Sequence, residues 1–139
     1  MKDKLIKAKF TLEPTNHTTI AREKYPICRK FSCKICMDMI KTRSFYSYST
    51  QCRYKTNLTD KPTCQLTNLI YLITCNTCKK QYIGETKRTF ETRIKEHLAD
   101  IKHNRYKPVS RHMNNHHNHK ITYQIISVIQ CNIMCIADI

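Results

Sequence analysis

The chain has 139 residues, about one domain with a modest core. Its 25 Lys+Arg against 10 Asp+Glu leave a net charge of +15, which points to a polyanionic partner, most simply nucleic acid. No stretch approaches the ~18 apolar residues of a membrane span, and Met1 to Phe10 alternates lysine with apolar residues instead of forming the apolar run of a signal peptide. Secretion and membrane association are set aside, so the nine cysteines argue for metal ligands or thiols rather than a disulfide framework.

Residues 1–26 read as a linker, with Pro14 and Pro26 bracketing the Thr/Asn-rich text Thr15-Asn16-His17-Thr18-Thr19. Residues 27–66 are basic, rich in cysteine and poor in aliphatic side chains, so a fold there calls for a staple such as a metal ion. Residues 67–139 form the third unit. Asn68 to Thr74 is a buried strand of β-branched and aromatic residues, and Lys80 to Glu85 is a second. The turn Cys75-Asn76-Thr77-Cys78 between them makes an antiparallel hairpin.

A helix of about four turns follows, from Thr89 to His103, with Phe90, Ile94, His97, Leu98 and Ile101 on its apolar stripe. Thr89 is the expected N-cap, Glu91 sits where the macrodipole favours a negative charge, and Glu91 and Lys95 are spaced for an ion pair. Pro108 opens a short helix, a His/Asn run follows, and Ile121 to Ile129 is a third strand. The order β-β-α-α-β is that of a small α/β domain with a three-stranded antiparallel sheet and flanking helices.

The hairpin carries Tyr71 and Tyr82 on its two strands, and the long helix carries Arg93 and His97 one turn apart at an edge of the apolar stripe. Taken singly, strand tyrosines read as core and an Arg–His edge as a solvated face. Together in one cleft they suit phosphodiester cleavage: arginine offers a planar fork to phosphate, and a tyrosine of depressed pKa orients or deprotonates water. The only glycine, Gly84, falls within Tyr82-Ile83-Gly84, where average usage of ~7 % would spread about ten glycines over the chain.

Leu69-Ile70-Tyr71 and Tyr82-Ile83-Gly84, with Arg93 and His97 on the next helix, resemble the GIY-YIG endonuclease superfamily. The run LIYLITCNTCKKQYIGETKRTFETRIKEH, with FSCKIC before it and PVSRHM after it, is most similar to the GIY-YIG domain at the C-terminus of Penelope-like retroelement polyproteins. The resemblance covers most of residues 25–130, and residues 1–24 resemble the stretch joining such a domain to a reverse transcriptase. It implies that Tyr71 is the base or orients it, that Tyr82 positions water and phosphate, that Arg93 steadies the phosphate and that His97 assists. Gly84 then permits close backbone approach. Leu69 stands where the first motif has its glycine.

The resemblance also implies a single Mg²⁺ or Mn²⁺ ion held by a glutamate on a helix after the third strand. Nothing acidic lies between Asp100 and Asp138, and Cys131 to Asp138 does not resemble the family's closing helix. The expectation is therefore a domain lacking its last helix, with the catalytic metal ligand unassigned and Asp138 the one substitute in the sequence.

Zinc is the second expected metal. Cys75-x2-Cys78 and His112 suit a structural Cys2His2 site, its fourth ligand lying among His116, His117 and His119, with His117 preferred. Retroelement members are known for such a site. Cys28, Cys33 and Cys36, joined by Cys64 or Cys52, suit a second site of four thiolates; pairing Cys33/Cys36 with Cys75/Cys78 is the rival arrangement.

Two functions follow. One is a DNA endonuclease that nicks DNA for retroelement integration, working beside a reverse transcriptase in the intact element. The other is a catalytically inactive, zinc-stabilised nucleic-acid-binding remnant. Neither involves a membrane or a small-molecule substrate. A nuclear or intracellular location follows from the substrate alone, because the basic residues form no compact import signal.

Overall fold

The strand Leu69–Cys75 is apolar along nearly its whole length because it is covered on both faces. In the computed structural model, which describes residues 9–13, 28, 33–58, 61–115 and 120–129, the elements run α1 (Lys34–Asp38), β1 (Ser44–Ser47), β2 (Cys52–Lys55), β3 (Leu69–Cys75), β4 (Gln81–Thr86), α2 (Phe90–Lys102), α3 (Pro108–Asn114) and β5 (Ile121–Val128). β3 is the central strand of an antiparallel sheet ordered β4-β3-β5. The expected β-β-α-α-β domain is present as a mixed α/β unit with this three-stranded sheet.

Alternation along β3 sorts its side chains between two cores. Leu69, Tyr71, Ile73 and Cys75 face α2 and α3 and pack with Phe90, Ile94, Val109, Met113, Tyr123 and Ile125. Ile70 and Leu72 face the other way and pack with Phe45 and Ile126. The same alternation in β5 sends Ile125 to the helix side and Ile126 to the other face, and the register shift opposite Ile70/Tyr71 sets Ser127, beyond Ile126, across from Ile70.

Residues 33–58 hold structure that the composition does not announce. α1 packs its Ile35 and Cys36 into the helix-side core. The hairpin β1–β2 lies on the opposite face, anchored by the stacked rings of Phe45 and Tyr54, with Phe10 edge-on against Phe45. Two glutamines fasten this hairpin to the sheet. Gln81 Nε2 donates to the Tyr46 carbonyl at 2.7 Å, and Gln124 Nε2 donates to the Ser44 carbonyl at 2.9 Å. Ile40 N–H and Asn57 N–H donate to β5 at the Tyr123 and Ile126 carbonyls, so this edge of the sheet is covered.

α2 begins as the sequence indicates: Thr89 Oγ1 accepts from Thr92 N–H, and Lys95 Nζ lies 2.7 Å from Glu91 Oε1. Its buried face departs from the expected stripe, with Glu91 and Asp100 buried in place of Leu98 and Ile101. Leu98 is 39 % exposed, whereas Asp100 is 3 % exposed and takes an inner place because Arg105 and Lys107 both pair with it. The tail residues, Asp138 among them, fall outside the described residues, and with them the expected lack of a closing helix.

Candidate functional site

The antiparallel register sets Tyr71 directly across from Gly84, and Ile73 across from Tyr82, all on the sheet face that α2 covers. With no side chain at Gly84, the Tyr71 ring lies over the neighbouring strand and reaches α2. There Tyr71 Oη stands 2.7 Å from His97 Nε2 and accepts from Arg93 Nε at 2.9 Å. Tyr82 completes the group, its ring centroid 6.4 Å from that of Tyr71 and 5.7 Å from that of His97. The four residues singled out from the sequence are thus brought together.

Arg93 Nε–H can only donate, so the Tyr71 oxygen accepts from it. The direction of the Tyr71–His97 bond follows the imidazole tautomer: with the His97 proton on Nδ1, the tyrosine hydroxyl donates to Nε2. Burial, reinforced by the nearby Arg93 charge, holds the His97 pKa down to about 4.

Two expectations change here. Tyr71 does not have a depressed pKa: burial pushes it up to about 12 even though Arg93 pulls the other way. Neither does His97 sit at a solvent edge, being 5 % exposed beneath the two tyrosines. Tyr82 and Arg93, both partly exposed, are the members of the group that reach the surface.

Glu96 was not evident as a partner from the sequence, although its i, i+3 spacing from Arg93 was the available signal. Its Oε2 accepts from Arg93 Nη1 at 2.9 Å and from Arg88 Nη2 at 2.7 Å, and Arg88 Nη1 donates to Oε1. The Arg88 contact, ahead of that of Arg93, holds the Glu96 carboxyl below its ordinary range. Asp100, one helical turn further, is likewise held down by Arg105 and Lys107. A Mg²⁺ or Mn²⁺ ion needs oxygen ligands, normally including a carboxylate. Both of these carboxylates are claimed by pairs of cations, so among the described residues the cleft does not fit such an ion.

The cysteines form two separate groups. Ligand atoms of Cys28, Cys33, Cys36 and Cys64 all lie within 4.8 Å of one another, as do those of Cys75, Cys78 and His112. Cys64, not Cys52, joins the first group, because Cys52 lies on β2 in the hairpin layer. The rival pairing of Cys33/Cys36 with Cys75/Cys78 is overturned by the same separation.

Cys33 Sγ and Cys64 Sγ are 3.6 Å apart, near the ~3.8 Å tetrahedral edge that Zn–S distances of about 2.3 Å give, and far beyond the ~2.05 Å of a disulfide. Donor type and spacing fit zinc. A backbone hydrogen bond at Cys36 leads in bringing the Cys33 thiol down to about 7, while burial pushes Cys64 up. In the second group Cys78 Sγ lies 3.1 Å from His112 Nε2. Burial works against ionisation of Cys75, but backbone hydrogen bonds at Cys78 and Thr77 outweigh it and lower its pKa. His116, His117 and His119 lie outside the described residues.

Residues 67–132 match the family model of the GIY-YIG catalytic domain. The matched segment contains Tyr71, Tyr82, Gly84, Arg93, His97 and the Cys75/Cys78/His112 group, whereas Cys28, Cys33, Cys36 and Cys64 precede it. A GIY-YIG domain implies nuclease activity with DNA as substrate. No curated protein and no solved structure matches the chain. Among the described residues no helix is long and apolar enough to cross a membrane.

Proposed function

We propose that this protein is a DNA endonuclease of the GIY-YIG type, making the nicks used in integration of a Penelope-like retroelement. On this reading residues 67–139 are the nuclease domain, 27–66 a zinc-binding segment and 1–26 a linker; a reverse transcriptase of the intact element is the partner, and the nucleus the place of action. The observation that carries it is the Tyr71 hydroxyl bridging Arg93 and His97 beside Gly84.

The chemistry is shared among these residues. Arg93, anchored through Nε, presents the rest of its guanidinium to a phosphate oxygen. Tyr82 flanks the approach and orients the attacking water. Tyr71 and His97 form a proton relay: a proton arriving at the Tyr71 oxygen is matched by transfer of the tyrosine's own proton to His97 Nε2. The charge of the bound phosphate raises the proton affinity of the neutral imidazole. Between α2 and α3, Tyr106 is 82 % exposed and carries Arg111 4.1 Å from its ring centroid, a surface suited to the DNA backbone.

Zinc is structural on this reading. Cys28, Cys33, Cys36 and Cys64 hold one ion; Cys75, Cys78 and His112, with His117, hold the other. GIY-YIG nucleases generally use a divalent ion for catalysis, and the misfit of Glu96 and Asp100 to such an ion favours the second reading, a catalytically inactive nucleic-acid-binding module.

The deciding experiment is nicking of supercoiled plasmid by zinc-loaded protein with Mg²⁺ or Mn²⁺, against Arg93→Ala. Nicking by the parent and not the variant supports the nuclease. A folded parent that binds DNA with steep salt dependence but leaves the plasmid intact supports the second reading.

A further inference from the structure

Two guanidinium groups meet on one carboxylate at the mouth of the cleft. Glu96 Oε2 accepts from Arg88 and from Arg93, and Oε1 accepts from Arg88 alone. We propose that Arg88 and Arg93 form a two-arginine phosphate fork in which Glu96 is the internal occupant, displaced by a DNA phosphodiester. This rests on the reading of the protein as DNA-binding and adds Arg88 and Glu96 to its substrate site.

Three features support the assignment. First, the geometry matches: a carboxylate and a phosphodiester each offer two oxygens carrying one negative charge, and arginine grips both through parallel N–H donors. Exchanging one for the other leaves both guanidiniums paired.

Second, the site is accessible where displacement requires it. The Arg88 and Glu96 side chains are 57 % and 34 % exposed, so solvent reaches the pair and screens it. A DNA phosphate, with further contacts along the backbone, competes with such a pair. Arg93, at 23 % exposure, stays anchored to Tyr71 through Nε while its Nη1 changes partner.

Third, Arg88 stands directly ahead of the Thr89 cap of α2 and Arg93 lies one turn into the helix, so the capped helix start brings both guanidiniums to one carboxylate. The occupant therefore restrains the site: Arg93 engages phosphate fully only when Glu96 has swung away.

The test is DNA binding by fluorescence anisotropy on a short duplex across a salt series, with plasmid nicking measured in parallel. Glu96→Gln removes the competing charge from the fork and is expected to tighten binding about two- to fivefold and to steepen the salt slope by about one unit. Glu85→Gln, which removes the same charge from β4 on the hairpin side of the sheet, is expected to do less. Arg88→Ala is expected to weaken the parent's binding more than Lys87→Ala does, and to abolish the gain from Glu96→Gln.

A Glu96→Gln variant no tighter than Glu85→Gln, or an Arg88→Ala variant no weaker than Lys87→Ala, overturns the fork. The two Arg88/Lys87 measurements stand alone if Glu96→Gln does not fold. If Glu96→Gln tightens binding while the parent never nicks, the fork holds and the nuclease reading falls. If the parent nicks in an Arg93-dependent way and Glu96→Gln changes nothing, the nuclease holds and the fork falls. A parent that fails to bind DNA overturns both.

Discussion

The ring of Tyr71 lies across Gly84 so closely that a Cβ built on the glycine would stand 2.3 Å from both Cζ and Oη of the tyrosine. Gly84 does not have a positive φ, so the absence of a side chain, not backbone freedom, is what the position requires. The contact joins strand and helix: room over Gly84 is what lets the Tyr71 hydroxyl reach Arg93 and His97. Gly84→Ala is expected to lower stability by about 1–3 kcal/mol, the usual cost of overpacking, and to abolish nicking by shifting the tyrosine. Urea unfolding checks the first part, and a variant as stable as the parent contradicts it.

His97 gives a pH dependence of definite sign. Its folded pKa, about 4, lies below the ordinary 6.5, so between these values the unfolded chain binds more protons and stability rises with pH. The contribution is full above pH 6.5 and is lost as pH falls toward 4. It amounts to something on the order of 3 kcal/mol. Comparing the parent with His97→Gln at pH 7.5 and pH 4.5 isolates it from the thiols, which both proteins share. The stability gap should shrink at the lower pH; a constant gap would rule the buried neutral imidazole out.

Where the chain is periodic, the sequence was readable. β3, β4, α2, α3 and β5 lie within a residue or two of their expected positions because β-branched runs and a 3.6-residue stripe mark them. Asn68 is instructive: read into the strand, it takes φ 53 and sits outside it. The β1–β2 hairpin was not readable because its turn lacks the usual glycine signal; the left-handed position falls on Gln51, at φ 56. Its strands are polar and short, and Phe45 supplies most of their burial. In the site, residue identities were legible but environments were not. A tyrosine of depressed pKa was expected in the cleft, and a sequence does not show that the Tyr71 hydroxyl is sealed under α2. Arg88 and Glu96, eight residues apart, meet only once the Thr89 cap has set the start of the helix.

Gln124 tests how the hairpin is fastened. Its side chain is 3 % exposed and its Nε2 donates to the carbonyls of Thr42 and Ser44 at 3.1 and 2.9 Å. Gln124→Leu keeps the bulk and leaves those carbonyls without the amide, at a cost of about 1–3 kcal/mol. Amide exchange at the β1–β2 hairpin should accelerate more than exchange in α2. Equal acceleration in both would mean that the glutamine supports the whole core rather than this one layer.

Cys64 links the metal to the helix that bears the site. Its carbonyl accepts from Glu91 N–H at 2.9 Å and the Leu66 carbonyl accepts from Phe90 N–H at 3.0 Å, so residues 64–66 hold the first turn of α2. A zinc ion on Cys28, Cys33, Cys36 and Cys64 would fix that loop from the other side. The parent is expected to carry about two zinc ions per chain and Cys64→Ser about one, since structural zinc needs a closed tetrahedral set. Cys52→Ser should retain both, which separates the tetrathiolate from the other arrangement open to these thiols. Because the loop would then be held only by its backbone bonds, Cys64→Ser should also lower Tm and weaken nicking, while DNA binding at low salt persists through the basic surface. Equal zinc content in the two serine variants would remove Cys64 from the ligand set.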